Sequence, residues 1–153
     1  MTEQARTAPD QESRLLAALA HGSIVAQGMG ILIGVVIYLT QREKSRYAAL
    51  QALQAAVYQF FILVVTIGMW MAWGVLLSLS MIPLMGNPNA DPGLLFWVSM
   101  IGMVVPFLFM IAFGLYGLWA ALRTWQGHDF HYIVIGRWMD RFELPAAPSA
   151  QEA

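Results

Sequence analysis

The sequence predicts an all-α integral membrane protein with three transmembrane helices, an amphipathic lead-in helix before the second span and a C-terminal interfacial helix. Three observations predict it. Of 153 residues, 59% are hydrophobic and only 11% are charged, whereas a soluble domain carries about 25% charged residues. Lys, Arg, Asp and Glu are absent from 15–41, from 47–90 and from 92–122, and each gap exceeds the ~20 apolar residues that cross a bilayer core. The charges collect in the tails and between the gaps. Eight basic against nine acidic residues leave a net charge of −1, which argues against a nucleic-acid footprint. The absence of cysteine removes disulfides, thiolate catalysis and thiolate metal sites.

Residues 1–13 read as a polar, flexible tail, followed by a single membrane domain over 14–143. Glu3, Asp10 and Glu12 precede the first gap, unlike the basic start of a signal peptide, so 15–39 is expected to be a mature span. As a helix it would be about 37 Å long, enough for one tilted crossing. The second gap is longer than one crossing needs. Gln51, Gln54 and Gln59 stand among its early alanines and leucines, which divides it into an interfacial lead-in over 45–55 and a span over 56–82. The stretch PLMGNPNADPG, 83–93, reads as a helix-ending connector, because prolines remove backbone donors and Gly and Asn suit turns. A third span follows over 94–122. In 130–142, Phe130, Ile133, Val134, Trp138 and Phe142 share one helical face, with Arg137, Asp140 and Arg141 mostly opposite, the pattern of a helix lying at the interface. The tail 144–153, with Pro145 and Pro148, reads as flexible.

Three spans put the N-terminal tail on the side of the 83–93 connector, with Arg6 and Arg14. The other side then holds Arg42, Lys44, Arg46, Arg123, Arg137 and Arg141. The excess of basic residues near span ends sets this second side in the cytoplasm. The expectation is a multi-pass protein of the bacterial cytoplasmic (inner) membrane, with its N-terminus outside and its C-terminus in the cytoplasm.

Small residues recur at every fourth position of the first span: Ala18, Gly22, Ala26, Gly30 and Gly34. Such ridges let helix backbones approach closely where lipid supplies no hydrophobic drive. The ridge is expected to pack against another span or a partner copy. Tyr47, Gln51, Gln54 and Tyr58 fall on one face of the lead-in helix. An unsatisfied amide in lipid costs several kcal/mol, so that face should meet water, headgroups or polar groups of another helix.

His21 sits inside an apolar segment among Ala20, Gly22 and Ser23. Its two readings are a hydrogen-bonded structural histidine and an axial ligand to haem or pigment. His128 and His131 with Asp129 lack a third ligand at helical spacing, and no metal site is expected. Trp97, Trp119 and Trp125 fit an aromatic belt, while Trp70 and Trp73 read as packing residues, a quinone or pigment contact being the sharper alternative. No acid–base pair, Ser–His arrangement or phosphate-cradling glycine loop is present, so no catalytic residues are expected.

The segments RLLAALAHGS (14–23), YLTQREKSRYAALQALQAAVYQF (38–60) and GHDFHYIVIGRWM (127–139) resemble a bacterial uncharacterised-domain membrane family. That family is described as similar to the twenty-kilodalton Tic component of chloroplast protein import. His21, Ser45, Tyr47, Gln51, Gln54, Gln59, Gly127, Phe130, Tyr132 and Gly136 occupy its recurring positions. The resemblance implies a small membrane protein without established activity. The expected function is therefore a non-enzymatic accessory or scaffold subunit of a larger membrane complex, contacting lipid and either other subunits or its own copies, with no cofactor. The alternatives are a protein-translocation component, as the resemblance implies, and a pigment- or quinone-contacting subunit.

Overall fold

The computed structural model describes residues 9–87 and 89–133. Five α-helices make up the described chain: α1 (Gln11–Gly22), α2 (Gly28–Gln41), α3 (Arg46–Gly86), α4 (Leu94–Gly102) and α5 (Val104–Trp125). The chain divides into two compact units, one of Met1–Phe60 with Leu115–Ala153 and one of Phe61–Gly114.

The single crossing expected over 15–39 is not formed. A 3₁₀ turn, Ser23–Ala26, interrupts it, and Gln27 follows at φ 50°, ψ −124°. Gly22, Gly28 and Gly30 flank the break, and each glycine disfavours helix by about 1 kcal/mol relative to alanine. The chain then folds back on itself. Ser13 Oγ, near the start of α1, lies 2.6 Å from Ser45 Oγ, beyond the end of α2, whereas one crossing would hold those ends about 30 Å apart. The N-terminal end of α1 and the 42–45 turn therefore lie together, not on opposite faces. With 14 residues, α2 is about 21 Å long, short of a bilayer core.

The lead-in and the second span form one 41-residue helix, α3, about 61 Å long, because alanine, leucine and glutamine all favour helix and nothing between them breaks it. Even Pro83 lies inside α3; its missing N–H costs a bond only in the final turn. The connector thus shortens to 87–93. The third span is broken once, at Met103 between α4 and α5. Pro106 has no N–H to offer the Gly102 carbonyl, and its ring crowds that carbonyl. The Met103 N–H still donates to Ser99 O at 3.2 Å, so the interruption is slight. Among the described residues two helical stretches, Arg46–Gly86 and Leu94–Trp125, are long and apolar enough to cross a membrane, where three were expected.

Beyond α5 the expected interfacial helix does not begin: residues 128–132 are non-helical. Phe130 and Tyr132 are buried while His131 and Ile133 are exposed, the alternation of an extended chain. The remainder of that expectation, 134–142, lies outside the described residues, as do the 144–153 tail and residues 1–8.

The first unit has an alanine core. Ala17 and Ala20 of α1 and Ala48, Ala49, Ala52, Ala55 and Ala56 of α3 are all buried, and Ala20, Ala52 and Ala55 cluster with Ile37 of α2. The large apolar side chains point outward instead: Leu32, Val36 and Leu39 on α2, Leu115 and Leu118 on α5. In the second unit Met71, Val75, Ile101 and Leu108 do the same. Small residues inside and large apolar residues outside is the pattern of helices packed in lipid, where close backbone contact replaces hydrophobic burial.

Candidate functional site

The first 14 residues of α3 form the wall against which α1 and α2 pack. Gly34 stands where a Cβ would be 3.0 Å from Ala56 Cβ and 3.2 Å from Ala52 O. At Gly30 a Cβ would collide with Gln59 Oε1 and the Ser23 carbonyl, so only glycine lets the hairpin close there. Gly22 faces Ala121, its would-be Cβ 3.8 Å from that residue's Cβ. The small-residue ridge is therefore split by the 3₁₀ turn. Gly30 and Gly34 meet α3, Gly22 meets α5, Ala18 is half-buried, and Ala26 is exposed.

The polar face of α3 turns inward. Gln51, Gln54 and Tyr58 are buried and Tyr47 is half-buried, so this face is covered by protein instead of wetted by water. The centre of what covers it is His21, which has no exposed surface. Gln51 Oε1 lies 3.0 Å from His21 Nε2 and the Tyr132 hydroxyl lies 2.9 Å from His21 Nδ1. Since Gln51 Oε1 can only accept, Nε2 carries the proton of the neutral ring and Nδ1 accepts from Tyr132. Both ring nitrogens are thus hydrogen-bonded within the protein.

The break in the first helix is clamped from α3. Gln59 Nε2 donates to the Ala20 carbonyl at 2.9 Å and to Ser23 Oγ at 3.2 Å. Ser23 Oγ in turn donates to Ala20 O at 2.7 Å. Backbone freed by a broken helix needs partners from elsewhere in the protein, and Gln59 supplies one for the Ala20 carbonyl.

Around the histidine, the segment after α5 adds an aromatic cluster. Tyr132 stacks on Tyr58 with ring centroids 3.9 Å apart and planes 8° from parallel. Phe130 meets Trp119 edge-on at 5.4 Å and His21 at 5.8 Å. Burial, then the neighbouring Tyr58 and Tyr116 phenols, push the Tyr132 phenol well above its ordinary pKa. At the end of the unit holding the 42–45 turn, Tyr47 Oη sits between the carbonyls of Thr124 and His128, at 3.3 and 3.2 Å. Sequence reasoning assigned Phe130 to an apolar helical face and missed Tyr132 as the partner of His21. The alternation Phe130, His131, Tyr132, Ile133 was the available signal.

Among the described residues, three buried polar atoms have no hydrogen-bond partner: Gln54 Oε1, Gln59 Oε1 and Arg14 Nε. An orphan of this kind costs about 1–3 kcal/mol. In the second unit Trp73 Nε1 donates to Ser99 O at 2.8 Å, and Trp70 meets Phe107 edge-on at 5.1 Å, so these tryptophans pack within the protein. Among the described residues no three of His, Asp and Glu are grouped to hold a metal ion. Several polar side chains of the first unit, His21, Gln51, Gln59 and Tyr132 among them, are hydrogen-bonded within the protein. What the arrangement does chemically is hold a broken helix and an extended strap against α3.

Comparison with known families shows that residues 12–139 fit the MamF/MmsF magnetosome magnetite crystal formation protein family. This overturns the expected kinship with the family similar to the Tic component, and the translocation reading that rested on it loses its support. Comparison with curated proteins and with solved structures gives no match.

Proposed function

Because the chain belongs to the MamF/MmsF magnetosome magnetite crystal formation protein family, we propose that it is a non-enzymatic accessory protein of a mineral-forming bacterial membrane. The family match over 12–139 carries this reading. The structure supports its physical side: α3 and the α4–α5 stretch have the length and apolar character to cross a bilayer, and the buried Gln51 and Gln59 hold the hairpin through His21 and the Ala20 carbonyl. The protein acts through placement and packing, its apolar outer faces meeting lipid and either other membrane subunits or further copies of itself.

The orientation follows from the hairpin. With two crossings, the N-terminal tail, the 42–45 turn and the segment after α5 share one side, and 87–93 alone is on the other. All eight basic residues, Arg6, Arg14, Arg42, Lys44, Arg46, Arg123, Arg137 and Arg141, then share that side. The segment 87–93 carries Asp91 and no basic residue. This distribution is more one-sided than three spans allow, and it supports a reading with both termini in the cytoplasm.

The test is deletion of the coding sequence in a magnetite-forming host, with crystal dimensions measured by electron microscopy and the protein followed in purified mineral-bearing membranes. Deletion is expected to change crystal size or number, and the wild-type chain to restore it. Unchanged crystals, with the protein absent from those membranes, would overturn the proposal.

A further inference from the structure

A cleft of about 120 Å³ opens between the start of α1 and the end of α5, lined by Gln11, Arg14, Leu15 and Trp125. Arg14 Nε is buried and without a hydrogen-bond partner, and no ion pair to Arg14 occurs among the described residues. The guanidinium arm is held from the other side by Gly127. That residue has φ +83°, and a Cβ there would be 3.0 Å from Arg14 Cδ; a glycine makes room for the arm. Leu15 and Trp125 are 40% and 55% exposed, so the rim of the cleft is apolar and aromatic.

An arginine N–H withdrawn from water without an acceptor calls for an oxyanion. An exposed leucine and tryptophan beside it, at the end of a membrane-crossing helix, call for a carrier with an apolar tail. We propose that this cleft binds the phosphate of an anionic phospholipid headgroup, with Arg14 Nε donating to a phosphate oxygen and Leu15 and Trp125 facing the glycerol and upper acyl chain. Asp10 and Glu12 flank Arg14 along the chain, and Asp129 follows Gly127 by two residues. These carboxylates oppose a phosphate dianion more than a singly charged diester, which favours a lipid over free phosphate. The inference rests on the membrane placement but not on the mineral role.

The experiment is native mass spectrometry of the full chain in non-ionic detergent, titrated separately with phosphatidylglycerol, phosphatidylcholine and inorganic phosphate. The expected result is one phosphatidylglycerol retained about tenfold more tightly than phosphatidylcholine, with that preference lost in Arg14→Gln. Arg42→Gln, which removes an exposed guanidinium whose ion pair is with Glu43, should leave the preference within about twofold. Should Arg14→Gln fail to fold, Arg14→Lys replaces it, keeping the charge without the Nε donor, and is expected to lose part of the preference. Equal retention of the two lipids, or an undiminished preference in the Arg14 variant that folds, would overturn the site. Displacement of phosphatidylglycerol by an equal concentration of inorganic phosphate would overturn the lipid assignment. Either failure leaves the proposed role in crystal formation standing, because that role is read from crystals in cells.

Discussion

Removing the Tyr132 hydroxyl should unsettle the protein more than the loss of one surface hydrogen bond would. Tyr132→Phe keeps the ring that stacks on Tyr58 at 3.9 Å and deletes only the group bonded to His21 Nδ1 at 2.9 Å. The histidine is wholly buried, so its nitrogen would be left without a partner, at a cost of about 1–3 kcal/mol. His21→Leu goes further. It orphans both the Tyr132 hydroxyl and Gln51 Oε1, for about 2–6 kcal/mol by the same reckoning. In the double variant only Gln51 Oε1 is stranded, so it should be no less stable than His21→Leu alone. The two effects should then couple by at least ~1 kcal/mol, within the range seen for residues in contact. Thermal unfolding in detergent, followed by far-ultraviolet circular dichroism, reads all four proteins. A Tyr132→Phe protein as stable as wild type, or single effects that add to within about 0.5 kcal/mol, would refute the role given to this knot.

The glycines offer a sharp contrast. Gly30→Ala places a methyl against Gln59 Oε1 and the Ser23 carbonyl and should lower the unfolding temperature markedly. Gly68→Ala meets nothing within 4 Å and should be neutral or stabilise by up to about 1 kcal/mol; the same melting experiment compares them. Gln59→Leu strips the Ala20 carbonyl and Ser23 Oγ of their clamp and should cost about 1–3 kcal/mol, with faster amide hydrogen exchange confined to residues around the 3₁₀ turn. Trp73→Phe loses one bond to Ser99 O and should cost only about 0.5–1.5 kcal/mol.

The apolar character of the chain and its two helical stretches long enough to cross a membrane were legible because they depend on composition: a long charge-free run is apolar whatever its tertiary contacts. The hairpin was not legible. Residues 15–39 have the length of one span, and what breaks them is a cluster of glycines together with a glutamine, Gln59, that is distant in sequence and can serve the broken backbone only once the chain has folded. The inward turn of Gln51 and Gln54 was hidden for a related reason. Helical spacing showed that they share a face with Tyr47 and Tyr58, but not that His21 and Tyr132 would cover it. The post-α5 segment misled through periodicity, since Phe130 and Ile133 suit a helical face as well as Phe130 and Tyr132 suit a strand face. The proposed orientation differs from the one expected for three spans for the same reason, because in the two-crossing reading Arg6 and Arg14 join the side of the other basic residues.

The most direct test of the account is where the N-terminus lies. The chain has no cysteine, so single cysteines at Glu12, Lys44, Asp91 and Gln126, all exposed, can be probed in intact spheroplasts with a membrane-impermeant thiol reagent. The hairpin predicts labelling at position 91 alone, with 12, 44 and 126 labelled only after the membrane is opened. Labelling of position 12 together with 91 in sealed spheroplasts would show that the first apolar segment crosses the membrane, and would contradict the account.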